Sequence, residues 1–171
     1  FFINGHAEFS GGGKLTLTGR TKHAYASDEY TLLKASTGTI EVLSAVSDGF
    51  HIDQYFEMRG GQVTIDGVGG DCIDVSCTKD ATDELNGQAF MSGGTLVMNV
   101  AADDVKGIKT ENAFHLSGGT LQATVSGLGT KGISTGTDLT IDSTSGSAPQ
   151  LRMTVSGTTY MPGDATLESK C

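Results

Sequence analysis

The stretch Ala45-Val-Ser-Asp-Gly-Phe-His-Ile-Asp-Gln-Tyr55, continued by Phe56-Glu-Met-Arg-Gly-Gly-Gln-Val-Thr-Ile-Asp66, decides how this chain folds. Each half alternates apolar and polar residues as a strand with one buried face does, and Gly60-Gly61 marks a corner between strands. Related segments recur at Thr21-Lys-His-Ala-Tyr-Ala-Ser-Asp28, Gly70-Asp-Cys-Ile-Asp-Val-Ser76, Asp104-Val-Lys-Gly-Ile-Lys-Thr-Glu111 and Gly129-Thr-Lys-Gly-Ile-Ser-Thr135. Laid over one another, they place Tyr25, Phe50, Ile73, Ile108 and Ile133 in one column, with steps of 25, 23, 35 and 25 residues. The long step contains the polar run from Thr78 to Gly87, which reads as a loop inserted into one coil.

A repeat of about 24 residues, made of strands and glycine corners with no helical period, predicts a solenoid whose coils bury their apolar faces only by stacking. The expected architecture is all-β: a single-stranded right-handed parallel β-helix of five to six coils over residues 1–158, with a cap or tail at 159–171. Composition agrees, since 25 of the 171 residues are Gly, only 2 are Pro, and helix-forming runs are lacking.

A net charge of −9 lacks the basic face that nucleic acid or an anionic membrane requires, and favours cations instead. No run approaches the roughly 18 apolar residues of a membrane span. The chain starts at Phe1 without an initiator Met or signal peptide, as a processed or trimmed form would. Cys72 and Cys77 either bridge the corner after Ser76 or are ordinary small residues, while Cys171 is left over in the tail. No cysteine lies in a cluster of zinc-like spacing.

Chemistry is expected on the outward columns. Two positions before the apolar column lie His23, Asp48, Asp71, Lys106 and Lys131; just after it lie Ala26, His51, Asp74, Lys109 and Ser134. A third column holds Asp28, Asp53, Ser76, Glu111 and Gly136. Asp48 and Asp71 should stack on adjacent coils, with Asp53, Asp74, Asp103 and Asp104 nearby. Unpaired carboxylates about 5 Å apart repel by around 1 kcal/mol or more, which a hard divalent cation relieves. These six aspartates are the predicted calcium ligands, against the alternative that Asp at a corner serves its own turn. His23, His51 and His115 fall in different columns, which argues against a histidine metal site.

Lys22-His-Ala-Tyr-Ala-Ser-Asp28, Ser47-Asp-Gly-Phe-His-Ile-Asp53, Gly70-Asp-Cys-Ile-Asp74, Asp104-Val-Lys-Gly-Ile-Lys109 and the Ser-Gly-Gly-Thr repeats at 92–95 and 117–120 carry a family likeness. The chain resembles the bacterial carbohydrate-binding domain family of cellulose- and pectin-binding parallel β-helix proteins. That resemblance implies a polysaccharide-lyase-like β-helix, secreted or attached to the cell surface (periplasmic or lipoprotein-anchored forms included). It also implies bound calcium and affinity for plant polysaccharides such as polygalacturonate. The acidic positions of its Asp-Gly-Ile coils fall on Asp48 and Asp71, and the sequence departs from its pattern at Ala24, Tyr25, Cys72 and Lys131.

Two functions follow. The first is a non-catalytic, monomeric module that binds polysaccharide through calcium, with Lys106, Lys109 and Lys131 contacting the glycan and Tyr25, Tyr30, Tyr55 and Tyr160 replacing the missing Trp in part. The second is a calcium-dependent polysaccharide lyase in which Lys106 or Lys131, in the column of Asp71, acts as base. A structural or adhesive surface protein is the remaining alternative.

Overall fold

Strands of two to seven residues joined by glycine or polar corners have no local partner for their backbone groups, so pairing has to be found one repeat away. The computed structural model describes residues 1–78, 82–143 and 148–157. Among the described residues there is no helix, and hence none long and apolar enough to cross a membrane. The described residues contain eighteen strands, numbered in chain order, which form three parallel sheets of six.

The first sheet stacks β1 (Phe2–Ile3), β4 (Tyr25–Ser27), β7 (Phe50–Asp53), β10 (Ile73–Ser76), β13 (Lys106–Thr110) and β16 (Lys131–Thr135). The second stacks β2 (Ala7–Phe9), β5 (Thr31–Leu33), β8 (Tyr55–Met58), β11 (Gln88–Met91), β14 (Phe114–Leu116) and β17 (Leu139–Ile141). The third stacks β3 (Lys14–Gly19), β6 (Thr39–Ala45), β9 (Gln62–Ile65), β12 (Thr95–Val100), β15 (Thr120–Val125) and β18 (Gln150–Val155). Each turn of the solenoid thus contributes one strand to each of three walls. The expected column is present in register: Tyr25, Phe50, Ile73, Ile108 and Ile133 lie opposite one another in turn.

Inward residues of the three walls meet in one core. Phe50, Ile73 and Ile108 come from the first sheet, Phe56, Met58 and Phe114 from the second, and Ile65, Leu96 and Leu121 from the third, all buried. Tyr25 belongs there too; its hydroxyl lies 2.7 Å from Thr31 Oγ1, which in turn lies 3.0 Å from Ser27 Oγ. Satisfying the hydroxyl inside the core removes the penalty of burying it, so Tyr25 is a packing residue and not part of a sugar-binding surface. Tyr160 and the predicted tail at 159–171 lie outside the described residues.

The corner between the second and third walls explains the repeated Gly-Gly. Gly61, Gly94 and Gly119 have φ of +89°, +83° and +79°, and a Cβ on Gly94 or Gly119 would fall 2.7 Å from the carbonyl oxygen of the glycine one coil below. Only glycine meets both demands, positive φ and close backbone approach. The polar insert also behaves as a loop where it is described. Cys77–Gly87 stands where the coil below has Gln54 alone, and pairing resumes with Gln88 opposite Tyr55. Gln54 ties the corner together, since its Oε1 accepts the Tyr30 N–H at 3.0 Å and its Nε2 donates to Asp83 of the insert.

Cys72 and Cys77 are both free thiols, one buried and one exposed. Five positions apart along an extended segment, they face opposite sides of the wall, so the possible bridge does not form. Burial pushes the Cys72 thiol up to about 12. In a Cys171→Ser background, we expect a thiol reagent at pH 8 to titrate one group in the native protein and a second only after denaturation. Ile73→Ala, at the centre of the apolar column, should cost about 2–5 kcal/mol in urea unfolding, the usual range for emptying a buried aliphatic site.

Candidate functional site

The register of the first sheet puts like positions of successive coils about 4.8 Å apart, so its outer face concentrates the predicted charged residues. His51 lies opposite Asp74, and Asp74 opposite Lys109; Lys106 lies opposite Lys131. Stacked carboxylates at this spacing need partners, and the structure supplies them from the backbone. Asp48 Oδ1 accepts the N–H of Asp71 at 2.9 Å, Asp71 Oδ1 accepts the N–H of Lys106 at 2.7 Å, and Asp103 Oδ1 accepts the N–H of Leu128 at 2.8 Å. Each carboxylate therefore holds the coil above it. Gly70 makes the first of these contacts possible, because a Cβ there would fall 2.2 Å from Asp48 Oδ1.

The second oxygens face charged or ring nitrogens. Lys109 Nζ donates to Asp74 Oδ1 at 3.0 Å and lies 3.9 Å from Asp71 Oδ2. Lys106 Nζ donates to the carbonyl of Asp104 at 2.7 Å and lies 3.5 Å from that residue's carboxylate; Asp104 has a φ of 56°. Burial raises the Asp71 carboxyl above its ordinary value, against the Lys106 amide and the Lys109 charge. Burial works in the same direction on Asp74, but contacts with His51 and Lys109 outweigh it and hold that carboxyl low. For Lys109, burial alone would lower the amine; Asp74, with Asp71 and Asp48 beyond it, holds it above its ordinary value instead. A lysine held charged in this way is a poor base and a good partner for an anion.

His23 and His51 come together, contrary to what their columns implied, while His115 stays apart from them against Phe90. His23 and His51 stack with ring centroids 4.3 Å apart and planes 14° from parallel. His23 sits at the corner before its strand and His51 in the first outward position of the next coil, and their side chains lean toward each other over Asp48. His23 Nδ1 lies 2.9 Å and His51 Nδ1 3.3 Å from Asp48 Oδ2; His51 Nδ1 is also 3.1 Å from Asp74 Oδ2. His51 Nε2 lies 3.5 Å from Asp53 Oδ1. The sequence held a signal for this meeting, since His23 stands in the column of Asp48 and His51 follows Asp48 by three residues.

Calcium takes six to eight oxygens. At the predicted Asp48 and Asp71 pair, Oδ1 of each is held by an amide, Asp48 Oδ2 is faced by two imidazoles and Asp71 Oδ2 by an ammonium. That donor set does not match an oxygen-rich shell. Asp53, with a side chain 38 % exposed, keeps an open side and joins Lys22, His23, Asp28 and His51 around a recess of about 370 Å³.

A second surface feature lies on the outer side of the second sheet. His6, Tyr30 and Tyr55 stack at 4.6 and 4.9 Å, within 9° of parallel, and Phe90 and His115 stack at 5.1 Å. Rings packed face to face along the solenoid axis show their edges to solvent. The signal was the spacing of His6, Tyr30 and Tyr55 in steps of one coil.

If Asp71 serves to hold the next coil, Asp71→Ala should destabilise the protein by about 1–3 kcal/mol, the range for losing a hydrogen bond from a part-buried amide to a charged acceptor. Asp71→Asn, which keeps an oxygen there, should recover most of this. The loss should be the same with calcium or chelator present; a calcium-dependent loss in thermal unfolding would instead make Asp71 a ligand.

No curated protein and no solved structure matches the chain. A family model does, and it spans residues 1–169, which takes in all of the solenoid just described and nearly the whole chain. The chain belongs to the family of carbohydrate-binding domain-containing proteins.

Proposed function

We propose that the protein is a non-catalytic module that binds an acidic plant cell-wall polysaccharide, such as pectin or polygalacturonate, outside the cell or at its surface. The observation that carries this reading is the family match over residues 1–169, set beside a solenoid wall whose charged columns run parallel to its axis. An extended polymer laid along that wall meets Lys106, Lys109 and Lys131 on neighbouring strands, and lysines are the natural partners of uronate carboxylates. The chain's net charge of −9 opposes a polyanion, so calcium shared between exposed carboxylates such as Asp53 and the uronates supplies the missing attraction. A non-catalytic role is favoured over a lyase by the engagement of Lys106, one of the two expected bases, whose Nζ donates to the Asp104 carbonyl at 2.7 Å and faces that residue's carboxylate instead of standing free to take a proton.

The parallel rings of His6, Tyr30 and Tyr55 favour a second reading, in which a neutral polymer such as cellulose lies along the second sheet and hydrogen-bonds the tyrosine edges. The two readings separate by mutation. For the first, Lys109→Ala with Lys131→Ala should weaken polygalacturonate binding by about three- to thirtyfold, from roughly 0.3–1 kcal/mol per exposed ion pair. Tyr55→Ala should leave that binding unchanged, and chelator should abolish it. Calorimetric titration with and without calcium checks all three, and the ultraviolet absorbance of unsaturated uronate, followed in the same samples, should stay flat. A steady rise would assign the protein to the lyases.

A further inference from the structure

The geometry points to a binding site for a divalent transition-metal ion of the zinc, cobalt or nickel kind, formed by His23 Nδ1, His51 Nδ1 and Asp48 Oδ2, with Asp74 Oδ2 beside it. This goes beyond glycan binding and does not depend on it. Among the described residues these three side chains are the only group of His, Cys, Asp or Glu whose ligand atoms all lie within 4.8 Å of one another.

The angles are as informative as the distances. His23 Nδ1 and Asp48 Oδ2 are 2.9 Å apart, yet neither ring nitrogen of His23 has a hydrogen-bond partner, and the same is true of His51 Nδ1. The His23 side chain is only 8 % exposed. Donor atoms that lie close together without hydrogen-bonding one another leave a place for an ion, and because the two rings stack 14° from parallel with centroids 4.3 Å apart, one ring turns to bring both Nδ1 lone pairs onto it. For metal–ligand bonds of about 2.0–2.1 Å, neighbouring ligands sit roughly 2.9 Å apart at right angles and about 3.4 Å apart at the tetrahedral angle. The contacts at 2.9, 3.1 and 3.3 Å fall on these edges.

Ligand chemistry selects the class of ion. Two imidazoles and a carboxylate suit zinc and its neighbours, whereas calcium prefers carboxylates, carbonyls and water. An outer carboxylate is in place as well, since Asp53 Oδ1 faces the far nitrogen of His51 and would orient the ring with Nδ1 toward the ion. His23 and His51 also line the recess beside Asp28 and Asp53, which leaves a coordination position open to water or to an anionic oxygen from solution.

The test uses tag-free protein stripped with chelator and titrated with Co²⁺, then Zn²⁺. Expected are visible d–d bands that saturate at one equivalent with micromolar or tighter affinity, stoichiometric displacement by Zn²⁺, and no displacement by millimolar Ca²⁺. His23→Gln and His51→Gln should each weaken Co²⁺ binding by about tenfold or more. Because either variant could unfold, long-range ¹H–¹⁵N spectra of the unmutated protein provide a second readout, in which Zn²⁺ should shift the Nδ1 resonances of two histidines. Absence of saturable binding, displacement of Co²⁺ by Ca²⁺, binding that survives both substitutions in folded protein, or shifts confined to Nε2 would each overturn the assignment.

Discussion

Vertical pairing between successive coils is the constraint on which everything else here depends. No strand has a partner within its own turn, so every wall exists only because the next turn repeats its register at about 4.8 Å. That spacing rewards like over like inside, where Tyr25, Phe50, Ile73 and Ile108 build a continuous column. It penalises like over like outside when the residues are charged. The outer face of the first sheet answers the penalty in two ways. Asp48 and Asp71 turn one oxygen upward to a backbone amide of the next coil, and the remaining charges alternate in sign from Asp74 to Lys109.

Much of this was legible in the sequence because a solenoid converts period directly into contact. The 23- and 25-residue steps placed the apolar column correctly and identified the Thr78–Gly87 stretch as an insert, even though residues 79–81 of it are outside the described part. The number of walls was harder to read, since short strands separated by glycines give the same alternation whether a turn has two sides or three. Side-chain direction at corners was the other obstacle. A column assignment treats positions as lying straight above one another, whereas His23 leans from its corner across to His51, and the predicted separation of the histidines fails there. Asp48, Asp71 and Asp74 do lie along one wall, but sequence does not reveal that Asp48 and Asp71 spend one oxygen each on the backbone.

The first wall consequently carries two kinds of chemistry along one axis. Toward β4 and β7 it offers imidazole and carboxylate around a recess; toward β13 and β16 it offers lysines. A polymer lying along the axis would cross from one to the other, spanning several coils at once. Because a solenoid's stability is the sum of coil-to-coil interfaces, a ligand that bridges coils also clamps them together. Binding and resistance to local unfolding are then two aspects of the same contacts.

The insert at Cys77–Gly87 carries a wider consequence. It takes the place of Gln54, yet the strands on either side resume pairing without a slip, and Gln54 itself anchors the extra chain through Asp83. A corner of this fold is therefore a site where length can change while the walls keep their register. Loop closure grows only slowly in cost with length, so such additions are thermodynamically mild. New contact surfaces can accumulate at the corners of one lineage or another, each tried independently, while the stacked interior stays the same.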